Sequence, residues 1–130
     1  MKFSSKFIID PANKILICEV FGEARKIDDF EHMIKTIVKM AGKHQMKNIV
    51  LDSTEFKILC SNEEITELMI NIQENDWLWD LRIARIVKPE FNVHNIIEGM
   101  AEKLSLSIKN FETRSESMLW LLFNKVRDEH

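Results

Sequence analysis

Apolar and polar residues follow two rhythms along this chain. In "KFIIDPANKILICEVFG" (residues 6–22) two β-rich runs flank Asp10-Pro11-Ala12-Asn13. Proline presets φ for a turn and asparagine tolerates a left-handed backbone, so the stretch predicts a hairpin. Its second run, Ile15 to Phe21, is almost continuously apolar. That is the pattern of a strand buried on both faces, with Gly22 as its predicted stop. The rhythm then changes in "DDFEHMIKTIVKMAGKH". Asp28 and Glu31 form a capping-box pattern, Phe30, Ile34, Ile37, Val38 and Ala41 share one helical face, and Gly42 is the predicted end.

The same reading continues to the far end. "KNIVLDS" is a short strand, followed by a polar loop. Ser61 and Glu64 open a second helix with apolar positions Ile65, Leu68, Met69 and Ile72. "LRIARIVK" is a strand halted at Pro89. Val93, Ile96, Ile97, Met100, Ala101 and Leu104 give a third helix the spacing of one buried face. A short strand at residues 107–111 and a helix capped by Thr113 and Glu116 complete the order ββαβαβαβα. This predicts a single-domain α/β fold: a mixed, mostly parallel sheet with an antiparallel N-terminal hairpin, right-handed crossovers and about four helices. The expected core covers Phe7 to Leu122, with residues 127–130 frayed.

Composition narrows the class. The chain has 130 residues, 45% hydrophobic and 30% charged, enough for one core without a disulfide or metal staple. A net charge of -3 does not suit phosphate-driven nucleic-acid binding. The apolar runs "ILICEVF" and "MLWLLF" are too short to span a bilayer, and "MKFSSKF" lacks a secretory signal. With two cysteines, Cys18 and Cys60, the expected setting is cytoplasmic, with reduced thiols.

Four stretches in this order carry a family resemblance: "ILICEVFGEARKIDDFEHMI", "KNIVLDSTEFKILCSNEEITEL", "RIARIV" and "NFETRSESMLWLL". Together they resemble the STAS superfamily, closest to its SpoIIAA-like, anti-sigma-factor antagonist-like branch, which has been grouped with Sec14-like lipid-binding domains. The resemblance implies a regulatory domain acting through a protein partner. In the classical antagonists an Asp-Ser-(Ser/Ala)-Gly type motif opens the second helix, and phosphorylation of a Ser there switches binding. Here Cys60-Ser61-Asn62-Glu63 stands in its place. A phosphate on Ser61 would gain from the helix dipole but be repelled by Glu63 and Glu64, which argues against the switch.

Candidate sites divide into two groups. The partner-binding or switch surface would use Asp52, Ser53, Thr54, Glu55, Lys57, Ser61 and Glu64, from the loop and the helix start. Ser61 also reads as an N-cap, Cys60 as a small packed thiol rather than a redox centre, and Asp52 as a turn residue. The second group, Trp77, Trp79, Met118, Trp120 and Leu121, would form an apolar-ligand or homodimer surface, or else fill the core. One of Trp77 and Trp79 is expected to plug the core and the other to be exposed. Lys88, Glu90 and His94 stand beyond strand ends, where open α/β sheets bind ligands.

Three glycines leave no phosphate-cradling loop, and no nucleophile signature or metal-ligand spacing occurs, so no cofactor, metal or catalytic residue is expected. The leading expectation is a non-enzymatic binding domain. A carrier or sensor of a small apolar ligand such as a lipid is the alternative, motivated by seven Met and three Trp. An enzyme would need Asp52 and His94 to converge in one pocket.

Overall fold

A computed structural model describes residues 3–88 and 92–128, with side chains omitted at 92 and from 124 onward. Five strands and four helices follow the expected order: β1 (Phe3–Asp10), β2 (Ile15–Ala24), α1 (Ile27–Lys43), β3 (Asn48–Ile58), α2 (Asn62–Glu74), β4 (Arg82–Ile86), α3 (Asn92–Lys103), β5 (Ile108–Phe111) and α4 (Arg114–Asp128). The sheet runs β1-β2-β3-β4-β5. Its first pair is antiparallel and the other three are parallel. Pro89 and Glu90 lie outside the described residues, as do the last two of the four terminal positions.

The buried strands feed two cores because successive side chains point to opposite faces. Leu16, Cys18, Val20, Ile49, Leu51 and Ile83 pack against α1, α2 and α3. Ile15, Ile17, Val50, Ala84 and Ile86 pack against Leu121 of α4. Both faces of β2 are thus covered, as its unbroken apolar run implies. The expected buried positions of α2 (Ile65, Leu68, Met69 and Ile72) are all inside.

Several boundaries differ from expectation. β2 passes through Gly22 and ends at Ala24. Gly22 has φ 103°, a value L side chains rarely adopt, so glycine is needed within the strand rather than at its stop. β3 is longer than its expected seven residues and reaches Ile58. Its register against β2 steps from Glu19↔Asp52 to Phe21↔Glu55, so one extra residue of β3 bulges opposite Val20. In the hairpin, Asn13 holds Asp10 through its amide and side chain at 3.2 and 2.9 Å, and Lys14 rather than Asn13 turns left-handed.

Helix ends supply the other corrections. α1 starts from Lys26 with no side-chain cap, so Asp28 and Glu31 do not form the expected box, and the helix continues past Gly42. α1, α2 and α3 instead share one ending. Gln45, Asp76 and Ser105 adopt left-handed φ of 56°, 53° and 59°. The amide that follows each reaches five residues back: Met46 to Ala41 at 2.8 Å, Trp77 to Ile72 at 3.1 Å, Leu106 to Ala101 at 2.8 Å. This is the Schellman arrangement built without glycine.

Candidate functional site

The β3 tail and the amino end of α2 form one continuous surface. What sequence reasoning takes for a loop (Thr54, Glu55 and Lys57) is strand: Phe56 and Ile58 are buried while Glu55 and Lys57 point to solvent. Ser53 is buried at the bulge. Asp52 steadies that bulge, its Oδ1 accepting from the Thr54 amide at 3.1 Å and the Thr54 hydroxyl at 2.7 Å. The turn-type bonding expected of Asp52 is present, but inside a strand. Its other oxygen lies 3.4 Å from the Arg114 guanidinium, which also approaches Glu19 at 3.6 Å. Arg114 thereby ties the start of α4 to β2 and β3.

Beyond Ile58, the Leu59 amide donates to the Ala24 carbonyl at 2.8 Å and leaves the leucine side chain 53% exposed. The α2 cap is complete: Ser61 Oγ accepts from the Glu64 amide at 3.1 Å, and Glu64 accepts from the Ser61 amide at 3.0 Å. Burial pushes the Cys60 thiol up, and the nearby Glu64 and Asp29 carboxylates push it further. It is a poor thiolate despite the helix start beside it. A shallow cavity of about 170 Å³ lies between Gly22, Glu23, Thr54, Lys57 and Lys88.

On the opposite sheet face, a cluster that sequence reasoning missed lies beneath α3. Arg85 of β4 is buried; its guanidinium meets His94 Nδ1 at 2.9 Å and donates to Asn110 Oδ1 at 3.2 Å. Asn110 donates to the His94 carbonyl at 2.8 Å, and its amide donates to Glu98 at 2.6 Å. Burial lowers Arg85 to about 10, opposed by Glu98. Burial and the Arg85 charge lower His94 to about 4, so His94 stays neutral and can accept from the guanidinium. The available signal is that period-2 alternation in "RIARIV" puts Arg85 on the inward face with Ile83. Asp52 points to the α4 side and His94 to the α3 side, so the two do not converge.

Internal space near Arg85 is apolar and amounts to about 40 Å³, lined by Met33, Ile37, Leu51, Met69 and Ile97 among others. That is close to the ~30 Å³ share of one liquid water and too little for an acyl chain. A wider cleft of about 620 Å³ opens instead at the amino ends of β3 and β4, where α2 and α3 finish. Trp79 stands at its edge, 75% exposed. Leu78, rather than Trp77, plugs the core fully, and Trp77 packs partly against it under Lys35 Nζ at 4.7 Å.

Trp120 is likewise half-covered, by Phe111 and by the Arg82 guanidinium 4.4 Å from its ring. Met118 packs against the α4 core. Leu121 is fully buried, so it cannot contribute to a surface; among the side chains described in α4, Leu119 and Phe123 are the exposed large apolar ones. Among the described residues no group of three or more His, Cys, Asp or Glu could hold a metal ion. No helix among them is long and apolar enough to cross a membrane.

No family model and no curated protein matches the sequence. The fold does have a match, the crystal structure of an anti-sigma factor antagonist from Mycobacterium paratuberculosis. The two superpose with a TM-score of 0.57 at 12% identity over 91% of this chain and 94% of that one. The chain therefore has the fold of an anti-sigma factor antagonist, as its resemblance to STAS domains implies.

Proposed function

We propose that this chain is a non-enzymatic regulatory domain that binds another protein through the β3 tail and the amino end of α2. One observation carries the reading. In a fold shared with an anti-sigma factor antagonist, this surface presents Glu55, Lys57, Leu59, Ser61 and Glu64 to solvent on a backbone fixed by the bulge and the capping box. A rigid, mixed polar surface with an exposed leucine suits a protein partner. Ser61 is engaged as the cap and flanked by two carboxylates, so binding here does not depend on a phosphoserine switch. Both thiols are free, which fits a reducing cytoplasm.

Lys57 gives the cleaner test because Glu64 also holds the cap. Lys57→Glu is expected to weaken capture of the partner several-fold with the melting temperature unchanged. Capture of the same proteins at the same yield would sink the proposal. A homodimer contact on α4 would rest on Leu119 and Phe123, and sedimentation showing only monomer at micromolar concentration would dismiss it.

The apolar-ligand reading moves to the open cleft beside Trp79, because the space near Arg85 is too small for a lipid.

A further inference from the structure

The two edges of the sheet are unlike. β5 is an edge of four residues, short enough to offer little to a neighbour. β1 is an edge of eight, and its register against β2 runs unbroken from Phe3↔Gly22 to Asp10↔Ile15. It has neither a proline nor a bulge to turn a neighbour away, and Lys6 is the one charge inside it. Among the described residues only β2 pairs with it, so alternate residues leave their amides and carbonyls outside the ladder.

Ser4, Lys6, Ile8 and Asp10 share the face of β1 on the α4 side of the sheet. Ile8 lies opposite Ile17, Ile17 opposite Val50, and Val50 opposite Ala84, so one apolar row crosses the sheet. Ile17, Val50 and Ala84 are buried in the second core, but the row ends on Ile8, which is 37% exposed. α4 packs mainly on β3, β4 and β5, away from this end.

Neither charge of β1 is in a salt bridge among the described residues. Lys6 lies opposite Glu19, but Arg114 approaches that carboxylate instead, at 3.6 Å. Asp10 takes its bonds from the neutral Asn13. Paired residues of antiparallel strands share a face, so a two-fold axis between two copies of β1 must pass through a residue. An axis at Lys6 sets Lys6 against Lys6, and one at Phe7 sets Lys6 against Ile8. An axis at Ile8 sets Lys6 of each copy against Asp10 of the other, and Ile8 against Ile8.

We propose that a second copy of this chain docks on β1. The two strands pair antiparallel about a two-fold axis at Ile8 and join the two five-stranded sheets into one. Charge complementarity selects this register: two Lys6–Asp10 pairs flank the axis, and the apolar rows of both sheets meet at Ile8. On the other face Phe7 of each copy meets Ile9 of the second. β1 runs against β2, so its Ile8 end lies away from the β3 tail. Both protein-binding surfaces therefore stay open, at opposite ends of the joined sheet.

Pairing over residues 6–10 buries less than the ~1,200 Å² of a standard interface, so the dimer is expected to be weak, with a dissociation constant on the order of 100 μM. Sedimentation of the whole chain, from about 10 to about 1,000 μM, measures it. Lys6→Asp and Asp10→Lys should each weaken the dimer about tenfold, because each sets like charges opposite one another twice. An equimolar mixture of the two variants should regain the parental affinity, because the mixed pair restores opposite charges at both contacts. Ile8→Lys should leave only monomer, and Leu119→Lys should leave the dimer intact. Amide NMR shifts that follow concentration should centre on residues 6–10. Monomer alone across the range, a dimer undiminished in Ile8→Lys or lost in Leu119→Lys, or a mixture no tighter than its components would overturn the proposal. Should Asp10→Lys unfold for want of its Asn13 bonds, Ile8→Lys and the NMR shifts still decide. Lys57→Glu should leave the dimer unaltered, so this contact and the protein-binding surface stand or fall separately.

Discussion

Two polar clusters in this molecule are similarly well bonded yet differ in what they sustain. The first is the Ser61–Glu64 box on the surface; the second is the Arg85–His94–Asn110–Glu98 group beneath α3. Water can replace any bond lost from the first, so breaking it costs little. In the second, Arg85 and His94 are buried, and losing the guanidinium removes two hydrogen bonds where water cannot readily replace them. The contrast separates residues that keep the fold from residues free to meet something else. A hydrogen-bonded histidine and arginine would ordinarily suggest chemistry, but here their burial makes them structural. The plainer surface box borders the candidate interface.

The largest expected effect lies in the buried cluster. Arg85→Ala should destabilise the domain by about 3 kcal/mol in denaturant unfolding, because His94 and Asn110 lose their shared donor and Glu98 loses the positive charge that faces it. A loss under about 1 kcal/mol would erase the contrast.

Nearly as large is a pH effect. His94 has its folded pKa lowered to about 4 from an ordinary 6.5. Between those values the unfolded chain binds the proton and the folded chain does not, so stability falls as pH drops from 6.5 toward 4. The span corresponds to about 3 kcal/mol at most. Unfolding midpoints measured across that window should show it, and His94→Gln should flatten the slope.

Removing the surface cap is expected to do less. Ser61→Ala should cost about 1 kcal/mol, read as a shift in the unfolding midpoint. Ser61→Asp should stay within about 0.5 kcal/mol of the parent, because aspartate caps equally well. A loss from Ser61→Asp as large as that from Arg85→Ala would place the two clusters in one class.

How far the sequence reveals this architecture depends on whether the cause is local. The α2 cap is legible because both partners lie three residues apart. The double burial of β2 is legible because an apolar run needs no partner to be seen. The β3 tail is misread as loop because Asp52-Ser53-Thr54 carries turn chemistry, although Phe56 and Ile58 alternate with Glu55 and Lys57 as a strand should. What looks like a turn is a bulge, and only the pairing with β2 shows this. The helix endings are hidden for another reason. Gln45, Asp76 and Ser105 take the left-handed backbone normally given to glycine, and nothing in their side chains announces it. Arg85 leaves a faint trace as an inward charge in "RIARIV", but its partners come from α3 and β5, 9 to 25 residues away. Leu121 illustrates the converse: within the unbroken apolar run Met118 to Phe123, spacing alone does not say which residue the sheet will cover.

The central claim, that the β3 tail and the start of α2 form the protein-binding surface, is tested most directly by site-specific photo-crosslinking. A photoreactive residue would be placed at Lys57 and, for comparison, at Lys43 in the last turn of α1. Both positions are exposed, and they lie at opposite ends of the sheet. The account predicts a discrete crosslinked partner from position 57, competed away by the unmodified chain and not by its Lys57→Glu variant, with no such product from position 43. The same products from both positions, or none from position 57 where position 43 gives one, would contradict it.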